Sequence, residues 1–150
     1  IMKVLEDAKR VKALVVMMQK EVAERILDEG DRGAITMTAG YYAESRQVAS
    51  IRRNSFMPAP NVDSAVLSMT RIPPALEEAE ENMYMRIVKA IYSSRRKTLS
   101  NSLNSLNICD KKKLRDVIID IGYFPSVRGE TLGKEDLLIF SKKFTALEER

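Results

Sequence analysis

The sequence predicts an α/β unit followed by an all-helical one, and three observations carry that reading. Val11 to Met18 is a nearly continuous apolar run of strand length, followed by Lys20 to Glu29, which sets Val22, Ala23, Ile26 and Leu27 on one helical face. Pro73-Pro74 interrupts the chain, and two adjacent prolines stop a strand and suit the start of a helix. Beyond them the apolar residues recur at helical spacing. The expected units are therefore residues 1–73 and 74–150.

The opening Ile1 to Leu5 reads as the end of an amphipathic helix, so further sequence is expected upstream. The Val11 to Met18 run has the pattern of a strand buried on both faces of a parallel sheet. Gly30 and Gly33 punctuate the end of the helix after it. Ala34 to Ala43 is expected as a second helix, with Ile35, Ala39 and Tyr42 at helical spacing outweighing the poorer helix formers Thr36 and Thr38. Gln47 to Ile51 and Ser64 to Ile72 read as strands, the second alternating Leu67 and Met69 with Ser68 and Thr70.

In the second unit, Glu77 to Ser94 opens with Glu77, Glu78, Glu80 and Glu81 and closes on Lys and Arg, an order that complements the helix dipole. Tyr84, Ile87, Val88 and Ile91 form its buried stripe. Thr98 can cap a short helix whose apolar side is Leu99, Leu103 and Leu106. Lys111 to Ile121 turns Leu114, Val117, Ile118 and Ile121 inward and ends at Gly122. A last helix, Lys134 to Leu147, offers Leu137, Leu138, Phe140 and Phe144 for packing.

Composition excludes several chemistries. With no histidine and one cysteine, Cys109, the sequence has no Ser-His-Asp triad, no Cys-His dyad, no zinc site and no internal disulfide. No run approaches the roughly eighteen apolar residues of a membrane span, and the opening segment has no signal-peptide cleavage pattern. These features predict a soluble, cytoplasmic protein without metal or membrane partners.

The net charge is only +4, but it is unevenly placed. Residues 86–115 contain nine Lys or Arg against a single acid, Asp110, a footprint suited to a polyanion as well as to a solvated helical face. At 100° per residue Arg86, Lys89, Arg96 and Lys97 fall opposite the apolar stripe, provided the helix continues that far. Arg95 points near the stripe, where pairing with a buried carboxylate or carbonyl competes with an RNA contact.

The segment from Ser55 to Ser64 is the most distinctive in the chain. Pro58 and Pro60 stiffen a loop between two strands and set the direction of Phe56 at low entropic cost. A rigid ring at a strand end can support a base taken out of its stack, or it can simply plug the core, which is the commoner fate of such aromatics. Arg52 and Arg53 precede it and could meet phosphate.

Three segments together resemble the ribosomal RNA small-subunit adenine dimethyltransferases in order and spacing: Gln19 to Arg25, Phe56-Met57-Pro58-Ala59-Pro60-Asn61-Val62-Asp63-Ser64-Ala65-Val66, and Arg95-Arg96-Lys97-Thr98-Leu99-Ser100-Asn101-Ser102-Leu103. Arg128 to Leu137 is similar to that family's closing motif, with Gly133 where a Ser or Thr helix cap is usual. The antibiotic-resistance relatives typically share the second segment but not the third. The resemblance implies transfer of two methyl groups from S-adenosylmethionine to the exocyclic amine of each of two adjacent adenines in small-subunit rRNA during ribosome biogenesis. Phe56 would stack on the flipped adenine. Arg52, Arg53, Arg86, Lys89, Arg95, Arg96 and Lys97 would contact the rRNA or the pre-ribosomal small subunit.

It also implies the C-terminal edge of a Rossmann-like methyltransferase sheet, with the strands at 11–18, 64–72 and 47–51 side by side, followed by a small helical RNA-binding domain. The Asn-Leu-Pro-Tyr segment, the glycine-rich donor loop and the acidic residue for the donor ribose would lie upstream, so the chain is expected to lack the donor site. An apolar sheet edge would then need covering by further sequence or another chain. The alternative is a non-catalytic RNA-binding module acting in ribosome assembly or mitochondrial transcription.

Overall fold

The structure, a computed structural model, describes residues 1–28, 30–93 and 96–149. It divides into two compact units, one of residues 1–31 with 38–74, the other of residues 32–37 with 75–150. In order, the first holds α1 (Met2–Asp7), β1 (Ala13–Gln19) and α2 (Lys20–Leu27). Next come α3 (Ala34–Tyr42), whose first turn belongs to the second unit, and then β2 (Ala43–Ile51) and β3 (Ser64–Arg71).

The three strands form one antiparallel sheet in the order β1-β3-β2, side by side as the resemblance implies. β1 is not the doubly buried parallel strand its apolar run suggests. It pairs antiparallel with β3 and alternates exposed and half-buried residues, with Val15 and Met17 67% and 52% exposed. The physical reason is coverage. α2 packs against the sheet and buries Ala23 and Ile26, while Ala65, Leu67 and Met69 of β3 are buried at alternate positions. A run of hydrophobic letters reports affinity for a core, and only the packed helix decides which face receives one.

β2 begins four residues earlier than its alternating pattern predicts, because α3 runs into it without a turn. Between Gln47 and Ala49 the register slips, so Val48 has no counterpart on β3 and stands 44% exposed. Arg71 fastens the opposite end. Its guanidinium donates to the carbonyls of Leu5 (2.8 Å), Ala8 (3.2 Å) and Val11 (3.0 Å) and lies 5.5 Å from the Tyr42 ring centre. One side chain thus binds three carbonyls at the end of α1 and in the connection to β1, that of Ala8 also accepting the Val11 N–H at 3.0 Å.

The second unit contains α4 (Glu78–Tyr92), α5 (Leu99–Asn104), α6 (Lys111–Asp120) and α7 (Lys134–Glu148). Glu80 accepts the Glu77 backbone N–H at 3.2 Å, closing the first turn of α4, and Tyr84, Ile87, Val88 and Ile91 are buried as their spacing predicts. α4 packs against α7, whose Leu137, Phe140 and Phe144 are fully buried. The Tyr84 hydroxyl donates to the Met37 carbonyl at 3.1 Å, fixing the 32–37 segment within this unit.

Caps set the helix ends. Thr98 Oγ1 accepts the Asn101 N–H at 3.4 Å, and Asp110 accepts the N–H groups of Lys112 and Lys113 at 2.9 Å each. The Lys113 hydrogen bond foremost holds the Asp110 carboxyl below the usual range. Gly122 ends α6 with φ of +104°, a conformation other residues rarely adopt.

Gly133 starts α7 without a capping side chain. There the space a Cβ would take lies 2.6 Å from the Arg32 guanidinium, and Asp136 accepts the Gly133 N–H from inside the helix at 2.7 Å. Asp136 also accepts the Tyr123 hydroxyl. Burial, followed by that hydrogen bond and the carboxylate charge, pushes the Tyr123 pKa up to about 12.

Candidate nucleic-acid interface

Phe56 lies on the connection between β2 and β3. A single 3-10 turn, Arg53–Ser55, leads into it, and the Phe56 N–H closes that turn on the Arg53 carbonyl at 3.2 Å. The loop is pinned at its far end by Asp63, whose carboxylate accepts the Arg53 N–H at 2.9 Å and whose carbonyl accepts the Lys20 N–H at 3.0 Å. Asp63 therefore ties both ends of the loop together and joins them to the start of α2. Sequence reasoning assigned it no role, although it lies inside the distinctive segment; a carboxylate three residues after a proline could have been read as a turn partner for a backbone N–H.

Phe56 is half-buried, whereas the core rings Tyr41, Tyr84, Phe140 and Phe144 are 1% exposed or less. Phe56 is thus less enclosed than the rings of the core. Arg52 and Arg53 are exposed beside it, and Met57 is fully exposed. The loop thus carries a half-buried aromatic residue with two exposed arginines three and four residues before it in sequence.

The basic residues of the second unit are distributed differently from a single helical face. α4 ends at Tyr92, so the angular argument reaches Arg86 and Lys89 but not Arg96 and Lys97, which stand exposed on the connection to α5. Arg95 lies outside the described residues. Arg86 is engaged within the protein: it pairs with Glu148 at 2.7 Å and donates to the Leu106 carbonyl at 3.3 Å. The hydrogen bond from Arg86 to Glu148 is the main reason the Glu148 carboxyl sits below its ordinary range. Lys89 is exposed on α4, and Lys111, Lys112, Lys113 and Arg115 are exposed on α6.

The Arg96-Lys97 connection has a neighbour that the sequence does not announce. Thr98 and Arg128 form an antiparallel bridge, with the Leu99 N–H donating to the Val127 carbonyl at 2.6 Å and the Ser100 N–H to the Pro125 carbonyl at 3.2 Å. The segment Pro125–Arg128 thereby runs along Thr98–Ser100, which brings the Arg128 backbone opposite Thr98 at the end of the basic connection.

The description ribosomal RNA adenine dimethylase matches residues 1–122. The chain belongs to the ribosomal RNA adenine dimethylase family. It is 39% identical over 146 residues to ribosomal RNA small subunit methyltransferase A of Bacillus cytotoxicus, covering 93% of this chain and 50% of that protein. The protein of the same description from Bacillus mycoides is 38% identical with the same coverage. The chain thus spans about half the length of the curated relatives it matches.

Among solved structures, a dimethyladenosine transferase from Plasmodium falciparum superposes with a TM-score of 0.69 at 23% identity, over 96% of this chain and 62% of that one. The 23S rRNA methyltransferase ErmE gives 0.62 at 20% identity, over 96% and 57%. These likenesses show the fold, that of a partial Rossmann-like methyltransferase sheet with helices following it in sequence.

Members of this family use a methyl donor, and the turn from β1 to α2 does not fit one. A donor cradle needs bare backbone at the turn from strand to helix. Here Gln19 passes directly into Lys20 with no glycine between β1 and α2. Three of the six glycines have other duties: Gly122 ends a helix, Gly129 lies against Ile91, and Gly133 lies beside Arg32.

Proposed function

We propose that these residues form the target-base and RNA-contacting part of an S-adenosylmethionine-dependent dimethyltransferase acting on two adjacent adenines of small-subunit rRNA during ribosome biogenesis in the cytoplasm. The donor is bound by sequence outside them. Residues 1–73 are the terminal part of the catalytic domain, and 74–150 form the RNA-binding domain. The observation that carries this reading is the half-buried Phe56 on a loop tied at both ends by Asp63, in a chain of the adenine dimethylase family.

Phe56 stacks on the extruded adenine, and Arg52 and Arg53 hold the adjoining phosphates. Arg96 and Lys97, with Lys89, hold the RNA at a distance from the reacting base by backbone contacts, which position a substrate without reading its sequence. Arg86 instead supports the helical unit through Glu148.

The RNA role has a direct test in the 150-residue chain. Changing Arg96 and Lys97 together to alanine is expected to weaken binding of folded RNAs about equally whatever their sequence. The slope of log K against log salt should flatten by roughly one to two units, since each lost phosphate contact removes up to about 0.9. Thermal stability should stay within about 0.5 kcal/mol, because both side chains are exposed and lie outside caps. Unchanged affinity with an unchanged slope would show that this connection is only solvated.

A further inference from the structure

α6 opens on Lys111, Lys112, Lys113, Leu114 and Arg115, and all four cations are exposed. Exposed lysines on a helix are ordinary, so the charge by itself assigns nothing. Their arrangement is the informative part. Leu114 and Ile118 are buried, and α6 packs against α5. At 100° per residue Lys111, Arg115 and Lys112 follow one another over an arc of about 100° beside that buried stripe. The same three side chains line one shallow depression, together with Asp116 and Ile119. They therefore share one surface.

No interaction within the described residues uses these charges. None of the three cations is in an ion pair among the described residues, although Asp116 lies in the same depression. Two other acids of this region are committed elsewhere. Asp110 accepts the N–H groups of Lys112 and Lys113, and Asp120 pairs with Lys143.

Helix stability does not call for this order of residues either. The first turn of α6 contains no acid, so its lysines face the positive end of the helix dipole, where cations are unfavourable. α4 and α7 of the same unit follow the opposite rule and open on Glu78, Glu80 and Glu81 and on Glu135 and Asp136. Because Asp110 already occupies N–H groups at the start of α6, the depression offers side-chain charge and not the helix end.

We infer that Lys111, Lys112 and Arg115 form a second contact for the RNA phosphate backbone, on a different element from Arg96 and Lys97. The lining residues include no aromatic ring to stack on a base, so the contact positions the RNA without selecting its sequence. The inference rests on the RNA-binding reading above and adds a named surface to it.

The experiment titrates a folded RNA into the 150-residue chain over a series of salt concentrations. The variant Lys111→Gln/Lys112→Gln/Arg115→Gln is compared with Lys3→Gln/Lys12→Gln/Lys142→Gln, which removes the same charge from exposed lysines elsewhere. The α6 variant is expected to lose affinity about tenfold or more at ~0.1 M salt and to flatten log K against log salt by roughly two units, each lost phosphate contact removing up to about 0.9. Its midpoint of thermal unfolding should stay level or rise, because cations leave the positive end of the dipole. The control should lose no more than about twofold with its slope unchanged.

The inference is overturned if the α6 variant binds as the control does, or if its slope matches that of the parent. It is overturned equally if poly-glutamate displaces the RNA from the parent but not from the α6 variant at matched charge, which would assign the surface to an acidic protein. In these cases the RNA-binding reading stands on the Arg96 and Lys97 variant. If the parent binds no RNA, that reading falls and takes this inference with it.

Discussion

Replacing Phe56 by alanine, in a longer protein that carries this chain together with its donor-binding sequence, is expected to lower methyl-transfer turnover about ten- to a hundredfold. RNA affinity should change by no more than about threefold. One stacked base contributes about 1–3 kcal/mol, a small share of binding held mainly by phosphate contacts. At the reacting base the same contact sets position, and misplacement of a reacting amine by about 1 Å can cost a factor of about a hundred. The loss should therefore fall on turnover.

Phe56→Tyr and Phe56→Trp keep a π-face and should retain partial activity. Single-turnover rates and RNA dissociation constants measured side by side separate the two quantities. Unchanged turnover for Phe56→Ala would make the ring a bystander of the loop. Equal losses in rate and affinity would make it a general RNA contact.

Phe144→Ala is expected to have the largest effect on stability. Phe144 is fully buried and meets Phe140 edge to face, with ring centres 5.7 Å apart and planes at 72°. It sits on α7, which packs against α4. Removing a buried phenyl ring loses its transfer free energy and leaves a cavity, together about 3–5 kcal/mol. In a domain of this size that lowers the midpoint of thermal unfolding by roughly 15 °C or more. Ile139→Ala on the same helix, where the side chain is 47% exposed, serves as the control and should shift the midpoint by only a few degrees. A Phe144→Ala midpoint within about 4 °C of the parent would mean that α7 does not complete the core.

Much of the helical unit was legible because its signals are local. Tyr84, Ile87, Val88 and Ile91 share one face by periodicity alone, Thr98 announces a cap, and Gly122 announces a helix end, each within a turn of the residue concerned. Asp110 was equally readable as a cap and was counted only as a charge.

What escaped the sequence depends on partners far along the chain. The apolar run of β1 gives no sign that α2 covers one face of the sheet and leaves Val15 and Met17 exposed. Arg86 has the helical position of an RNA contact, but a carboxylate 62 residues away claims it. The α4 dipole pattern did not mark its end at Tyr92, and that end is what moves Arg96 and Lys97 off the helix and onto a connection.

The candidate site shows the same division. Phe56 could be picked out because prolines and a family motif surround it. Asp63 acts through a backbone N–H ten residues away, and the Arg128 backbone meets Thr98 only through an antiparallel bridge. Both relationships exist only once the chain is folded.

The central claim is that this chain handles the target adenine for a methyltransferase. It is tested most directly by incubating the longer protein with S-adenosylmethionine and unmethylated small-subunit rRNA, then digesting the RNA to nucleosides for mass spectrometry. The account predicts N6,N6-dimethyladenosine at two adjacent positions, sharply reduced when Phe56 is alanine. RNA that is bound but returned with every adenine unmodified would contradict it.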